Sequence, residues 1–134
     1  MSIEALPSEL VRFIQAPRPA VVATLQPDGS PTTTATWYEW IEDRLLLSIV
    51  ANSPRARNVR NDPRISLTIL GDSWYDTLSL RGRVVEIRDD PDLADLDRLS
   101  LRYDGRPYPK RHLRCVSAIV EVYLTPQLLT MLAA

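Results

Sequence analysis

Polar and apolar residues alternate with a period of two over much of this chain. Arg64 to Leu70 sets Ile65, Leu67 and Ile69 against Arg64, Ser66 and Thr68, and Val116, Ala118, Val120, Val122 and Leu124 repeat the period near the end; both patterns predict strands with one face in a core. Ala20-Val21-Val22-Ala23-Thr24-Leu25 reads as a buried strand that turns at Pro27-Asp28-Gly29-Ser30, a hairpin signal. A run rich in β-branched and aromatic residues then extends from Thr32 to Ile41 and turns at Glu42-Asp43 into Leu45 to Val50, so three antiparallel strands in a meander are expected. Thr77 to Ile87 is a further long strand, with Gly82 inside it as a bulge or bend where the sheet curls.

The period changes in three short places. Ser8 to Ile14 predicts an amphipathic helix capped by Ser8, with Leu10, Val11, Phe13 and Ile14 on one broad face. Asp90 and Pro91 open a second helix, in which Leu93, Leu96 and Leu99 recur every third residue as far as about Tyr103 and Asp92 and Asp95 lie near the positive end. Asp104 to Lys110, with Gly105, Pro107 and Pro109, is a loop. The third helix is the segment Ser53-Pro54-Arg55-Ala56-Arg57-Asn58-Val59-Arg60-Asn61-Asp62-Pro63. Ser53 suits an N-cap and Pro54 the first helical position, Ala56 and Val59 form the docking strip, and Asn61-Asp62-Pro63 ends the helix. Six strands and three short helices predict one mainly β domain over residues 1–134, an antiparallel barrel whose closure removes exposed edges.

The helix between the third and fourth strands also carries chemistry. Arg55, Arg57 and Arg60 place three guanidinium forks around a helix start, an arrangement that grips phosphate, although a solvated basic turn has the same composition. The formal net charge of the chain is -1, which points away from nucleic acid and anionic membranes, so this local patch needs a local ligand or none. No apolar run approaches the length of a bilayer span. The single cysteine, Cys115, and the absence of a signal-like start at Met1-Ser2-Ile3-Glu4 fit a soluble protein of a reducing cytoplasm. His112 has no partner at ligand spacing, so no metal site is expected, and Cys115 reads as a small buried hydrophobe. Asp89, Asp90, Asp92 and Asp95 are better explained by helix capping than as a catalytic carboxylate cluster. No catalytic acid or base is assigned.

The order strand, Pro-Asp-Gly turn, strand, strand, Pro54-Arg55-Ala56-Arg57-Asn58-Val59-Arg60-Asn61-Asp62-Pro63-Arg64, strand resembles the pyridoxamine 5′-phosphate oxidase-like flavin-binding split β-barrels. The resemblance runs from about Arg18 to Thr125. It is closest to the actinobacterial branch that uses the deazaflavin coenzyme F-420, to which Arg102-Tyr103-Asp104-Gly105-Arg106-Pro107-Tyr108 and Arg81-Gly82 are also similar. It implies an antiparallel six-stranded split β-barrel and a homodimer with two coenzyme sites at the subunit interface. The coenzyme phosphate would sit at Ser53, Arg55, Arg57 and Asn58, with Arg55 a surface cation in the ligand-free protein. Many relatives carry Lys at Arg55, and here every basic residue but Lys110 is Arg. Thr34, Thr36 and Ser48 match strand positions that face the coenzyme, and Trp74 matches a tryptophan that borders the ring system.

Those threonines also suit any strand, and Trp37, Trp40 and Trp74 also suit a core or an interface. The activity implied is an oxidoreductase transferring hydride between coenzyme F-420 and a small, planar, unsaturated substrate. An FMN-dependent enzyme of the same fold, a non-catalytic flavin-coenzyme carrier and a structural dimer with an emptied site are the alternatives.

Overall fold

The computed structural model describes residues 6–123. Its elements are α1 (Ser8–Gln15), β1 (Ala20–Leu25), β2 (Pro31–Thr36), β3 (Glu39–Ile41), β4 (Arg44–Val50), α2 (Pro54–Asn61), β5 (Arg64–Leu70), β6 (Thr77–Asp90), α3 (Ala94–Asp104) and β7 (Cys115–Tyr123). All seven strands belong to one antiparallel sheet in the order β2-β1-β5-β6-β7-β4-β3. The mainly β class and the strand positions agree with the sequence pattern, with Leu124 and Thr125 outside the described residues.

The strand count does not agree, and the reason is local. The run from Thr32 to Ile41 breaks at Trp37-Tyr38 into β2 and β3, which lie at opposite edges of the sheet. No meander forms: β2 pairs with β1, β3 pairs with β4, and the inner neighbours are β5 and β7. Only three Cα–Cα steps separate Thr36 from Glu39, so the two edges approach within about 11 Å at that point. The sheet is therefore curled into a barrel that a covalent link spans and no ladder of hydrogen bonds closes.

Tyr38 makes this crossing possible. Its ring is completely buried in the barrel core, in the same cluster as Ile14, Leu67 and Val120. Its hydroxyl donates to the Ala16 carbonyl at 3.0 Å, and burial next to Tyr103 pushes its pKa up to about 12, so it stays neutral. The strands contribute alternate residues to the same core, among them Val22, Leu45, Leu47, Ile65 and Leu80.

Three further expectations are corrected. Ser8 is the first residue of α1 and not its cap; Pro7 holds that position and no side chain caps the helix. Gly82 is not the bulge, which falls at Val84/Glu86. Gly82 instead lies under β7, where a Cβ would meet the Glu121 carbonyl oxygen at 2.6 Å. The helix expected from Asp90, α3, starts at Ala94, because β6 runs on through Asp90. Asp90 still caps it: its two carboxylate oxygens accept from the Asp95 and Leu96 amides, each at 3.1 Å. Leu93 turns the chain between them in a left-handed conformation at φ 58°, held by burial against Cys115 and Leu96.

Candidate functional site

A pocket of about 570 Å³ lies where β2 ends and β3 has not yet begun. Thr36 from β2 and Ser48 from β4 line it although those strands do not pair, and α2 and α3 form its sides through Arg55, Leu96 and Leu99. The opening left by the strand switch is thus converted into a cleft.

Arg55 is the one charged side chain in the described lining. The sequence predicted a surface cation, whereas the guanidinium is half-buried and loses solvation, which lowers its pKa. Nη2 donates to the Ser48 carbonyl at 3.2 Å. Nη1 is shielded from solvent and has no acceptor among the described residues. A buried cationic donor without a partner is costly and is ordinarily satisfied, so this side of the pocket suits an anionic oxygen.

The local sequence explains how Arg55 reaches that position. Ser53 Oγ accepts from the Ala56 amide at 3.2 Å and Pro54 occupies the first turn, fixing the start of α2. Ala56 and Val59 are buried, as their spacing predicted. Asn58, read from the sequence as a phosphate ligand, is only 6% exposed. Its Nδ2 donates to Thr24 Oγ1 at 3.1 Å and Thr32 Oγ1 at 3.3 Å, tying α2 to the β1–β2 hairpin. That signal was available in the sequence only as a polar residue between Ala56 and Val59 on the docking side.

Arg57 and Arg60 are exposed and lie outside the described pocket lining. They donate to the carbonyls of Asn52 at 3.0 Å and Ala51 at 2.9 Å, fastening the turn before α2. Thr36 and Ser48 line the pocket, while Thr34 is exposed on β2 outside it. Trp74, at the tip of the β5–β6 loop, is 91% exposed and its neighbour Tyr75 97%; neither touches the pocket of its own chain.

The aromatic wall comes from elsewhere. Trp37, Tyr103 and Tyr108 all line the pocket. Trp37 stacks on Tyr103 with ring centres 5.4 Å apart and meets the Tyr108 ring nearly at right angles at 6.1 Å. The Tyr103 hydroxyl donates to the Arg18 carbonyl at 2.8 Å, locking this wall to the start of β1. Burial raises the pKa of Tyr103, and also that of the Cys115 thiol on the pocket's β7 side. Both remain protonated at neutral pH. His112 is exposed, and among the described residues no cluster of three or more His, Cys, Asp or Glu is placed to hold a metal ion.

A curled antiparallel sheet with an anion-seeking, aromatic-walled pocket at its strand switch defines a split-barrel protein of small-molecule-binding type. Residues 6–125 match the family model described as pyridoxamine 5′-phosphate oxidase, and the chain belongs to that family. Among solved structures, it is similar to an F-420 reductase, at 27% identity and a TM-score of 0.81 over 89% of this chain and 97% of that one. It is also similar to a conserved hypothetical protein from Mycobacterium tuberculosis, at 28% identity and a TM-score of 0.64 over 90% and 86%. A pyridoxamine 5′-phosphate oxidase-related, FMN-binding protein from Nostoc punctiforme shares the fold at 15% identity and a TM-score of 0.57 over 78% and 70%. The match over residues 6–125 establishes the family expected from the sequence pattern. No helix of the described residues is long and apolar enough to cross a membrane.

Proposed function

We propose that this chain is an oxidoreductase of the cytoplasm that binds the deazaflavin coenzyme F-420 and transfers hydride to a small unsaturated substrate. The observation that carries the reading is the buried, unpartnered Nη1 of Arg55 in the pocket. A phosphodiester oxygen is the acceptor that such a fork grips. The similarity to an F-420 reductase over nearly the whole of both chains favours deazaflavin over FMN.

Bound there, the coenzyme supplies the hydride chemistry. The protein's share is binding, orientation and exclusion of water. Arg55 holds the anionic end, with Ser48 and Thr36 presenting hydroxyl groups on the two strands flanking the slit. Leu96 and Leu99 keep the remainder dry. No acid or base is required of the lining, and its neutral tyrosines and thiol fit that division of labour. The coenzyme site is completed across a homodimer interface, where Ser53, Arg57, Thr34 and the partner copy of the exposed Trp74 tip contribute its rim.

Titration of the protein with F-420 and with FMN, at low and high salt, tests the reading. Arg55→Ala should weaken F-420 binding by about ten- to a hundredfold, the loss of roughly 1.5–3 kcal/mol from a charge-assisted hydrogen bond. The wild-type affinity should fall as salt rises. Equal affinity in wild type and variant would overturn the phosphate assignment, and tighter binding of FMN than of F-420 would move the protein to the FMN-dependent alternative.

A further inference from the structure

The aromatic wall of the pocket has a construction of its own. Trp37 is backed by Tyr103, whose hydroxyl is committed to the Arg18 carbonyl. Tyr108, in contrast, comes from the Gly105–Arg114 connection, and a charged pair on one side fixes it. Asp97 Oδ1 accepts from the Tyr108 amide at 3.0 Å and from Arg111 Nη1 at 2.6 Å. The same Nη1 reaches the Tyr108 carbonyl at 3.1 Å, and Nη2 reaches the Asp92 carbonyl at 3.4 Å. Both backbone polar groups of Tyr108 are thus gripped, and its ring is set across Trp37 at an interplanar angle of 80°.

Resting on the coenzyme reading above, we propose that Tyr108 selects the second reactant, a flat, uncharged, conjugated molecule seated in the corner it makes with Trp37, and that Asp97 and Arg111 are its positioning residues. Perpendicular rings present a face and an edge to one occupant, and a planar conjugated molecule is the shape that can use both. The rest of the described lining includes Leu96, Leu99, Leu113 and Pro19, and it holds no acid and no cation other than Arg55. A charge carried into that part of the pocket would lie unpaired in apolar surroundings. The hydroxyl of Tyr108 makes no hydrogen bond among the described residues, and selection by the corner needs only the ring.

The test omits the coenzyme, so it stands or falls independently of the F-420 assignment. The neutral, environment-sensitive naphthalene dye 6-propionyl-2-dimethylaminonaphthalene is titrated into the protein and its emission shift followed. Wild type should give a saturable blue shift. Tyr108→Ala should weaken the dye by about tenfold or more, and Tyr108→Phe should restore binding to within about threefold. Asp97→Asn should weaken it severalfold, with the melting temperatures of the two Tyr108 variants equal. In an Arg55→Ala background, which removes the cation, neutral 2-naphthaldehyde should displace the dye about tenfold more effectively than 2-naphthoate. Absence of a saturable shift in wild type, or wild-type affinity in Tyr108→Ala, overturns the assignment of the corner. Equal displacement by aldehyde and carboxylate overturns the charge selection.

Discussion

Arg55 donates through Nη2 to the carbonyl of Ser48 at 3.2 Å, and that carbonyl belongs to the part of β4 that extends beyond its short edge partner β3. One terminal nitrogen therefore satisfies a carbonyl that β3 does not reach, while the other, Nη1, is buried without an acceptor among the described residues. The side chain is anchored and incomplete at once.

The first prediction concerns stability without ligand. In Arg55→Ala the bond to Ser48 is lost, and so is the burial of an unpaired donor; each is worth about 1–3 kcal/mol, with opposite signs. Ligand-free stability should change by less than about 1 kcal/mol, measured by denaturant unfolding, and Arg55→Lys should behave similarly while keeping part of the phosphate affinity. A large loss of ligand-free stability in Arg55→Ala would make Arg55 a structural residue.

Acid should release the Tyr108 connection. The Arg111 guanidinium beside Asp97 holds its carboxyl below the ordinary value of 3.8. A carboxyl depressed in the folded state binds fewer protons there than in the unfolded chain, so the latch contributes fully above that ordinary value and is lost as pH falls through the depressed one. Hydrogen-exchange protection of the Tyr108 amide should therefore hold at neutral pH and drop on acidification below about pH 4. Asp97→Asn should lack the step. A protection factor independent of pH in wild type would exclude Asp97 as the acceptor that matters.

Gly82→Ala should be destabilising for a reason unrelated to backbone freedom. The added methyl would stand 2.6 Å from the Glu121 carbonyl oxygen and 2.9 Å from Val120 Cγ1, inside the β6–β7 ladder. Neither can move without shifting a central strand, so a cost of about 1–3 kcal/mol is expected from the lowered unfolding midpoint. Unchanged stability would mean that β7 yields at this point.

Association is the fourth prediction. A tip carrying Trp74 and Tyr75 almost fully in solvent is a large apolar exposure for a short loop. Light scattering at micromolar concentration should give twice the 15.2 kDa of one chain, and Trp74→Glu should move the mass toward a single chain. A wild-type mass of one chain would remove the shared coenzyme site.

The sequence carried the strands well because one face of each is buried, and that burial writes a period of two that Ile65, Leu67 and Ile69 display openly. It hid the break at Trp37-Tyr38, since both residues have high strand propensity and the switch is decided by where distant β5 and β7 pair. The capping by Asp90 was legible, but not that it acts from the end of a strand five and six residues before its amide partners. At the site, Arg55 and Ser48 were legible through the helix-start chemistry and the family pattern. Their burial was not, because it depends on how α2 folds back against β4. Trp74 matched the family's ring-bordering tryptophan, yet Trp37, adjacent to the strand break, is the tryptophan that lines this pocket within one chain.

The two-residue passage from β2 to β3 also dictates how the barrel assembles. The β1–β2 and β3–β4 hairpins each close over short turns and can form within local reach, hanging from one hinge at Trp37-Tyr38. No rung joins them directly. Their relative placement waits for β1 to meet β5 and for β4 to meet β7, pairings whose chain-closure entropy is lost before they return any energy. The seam at Trp37-Tyr38 thus takes its geometry from those distant pairings and from no rung of its own, and the pocket lined by Thr36 and Ser48 inherits its width from them.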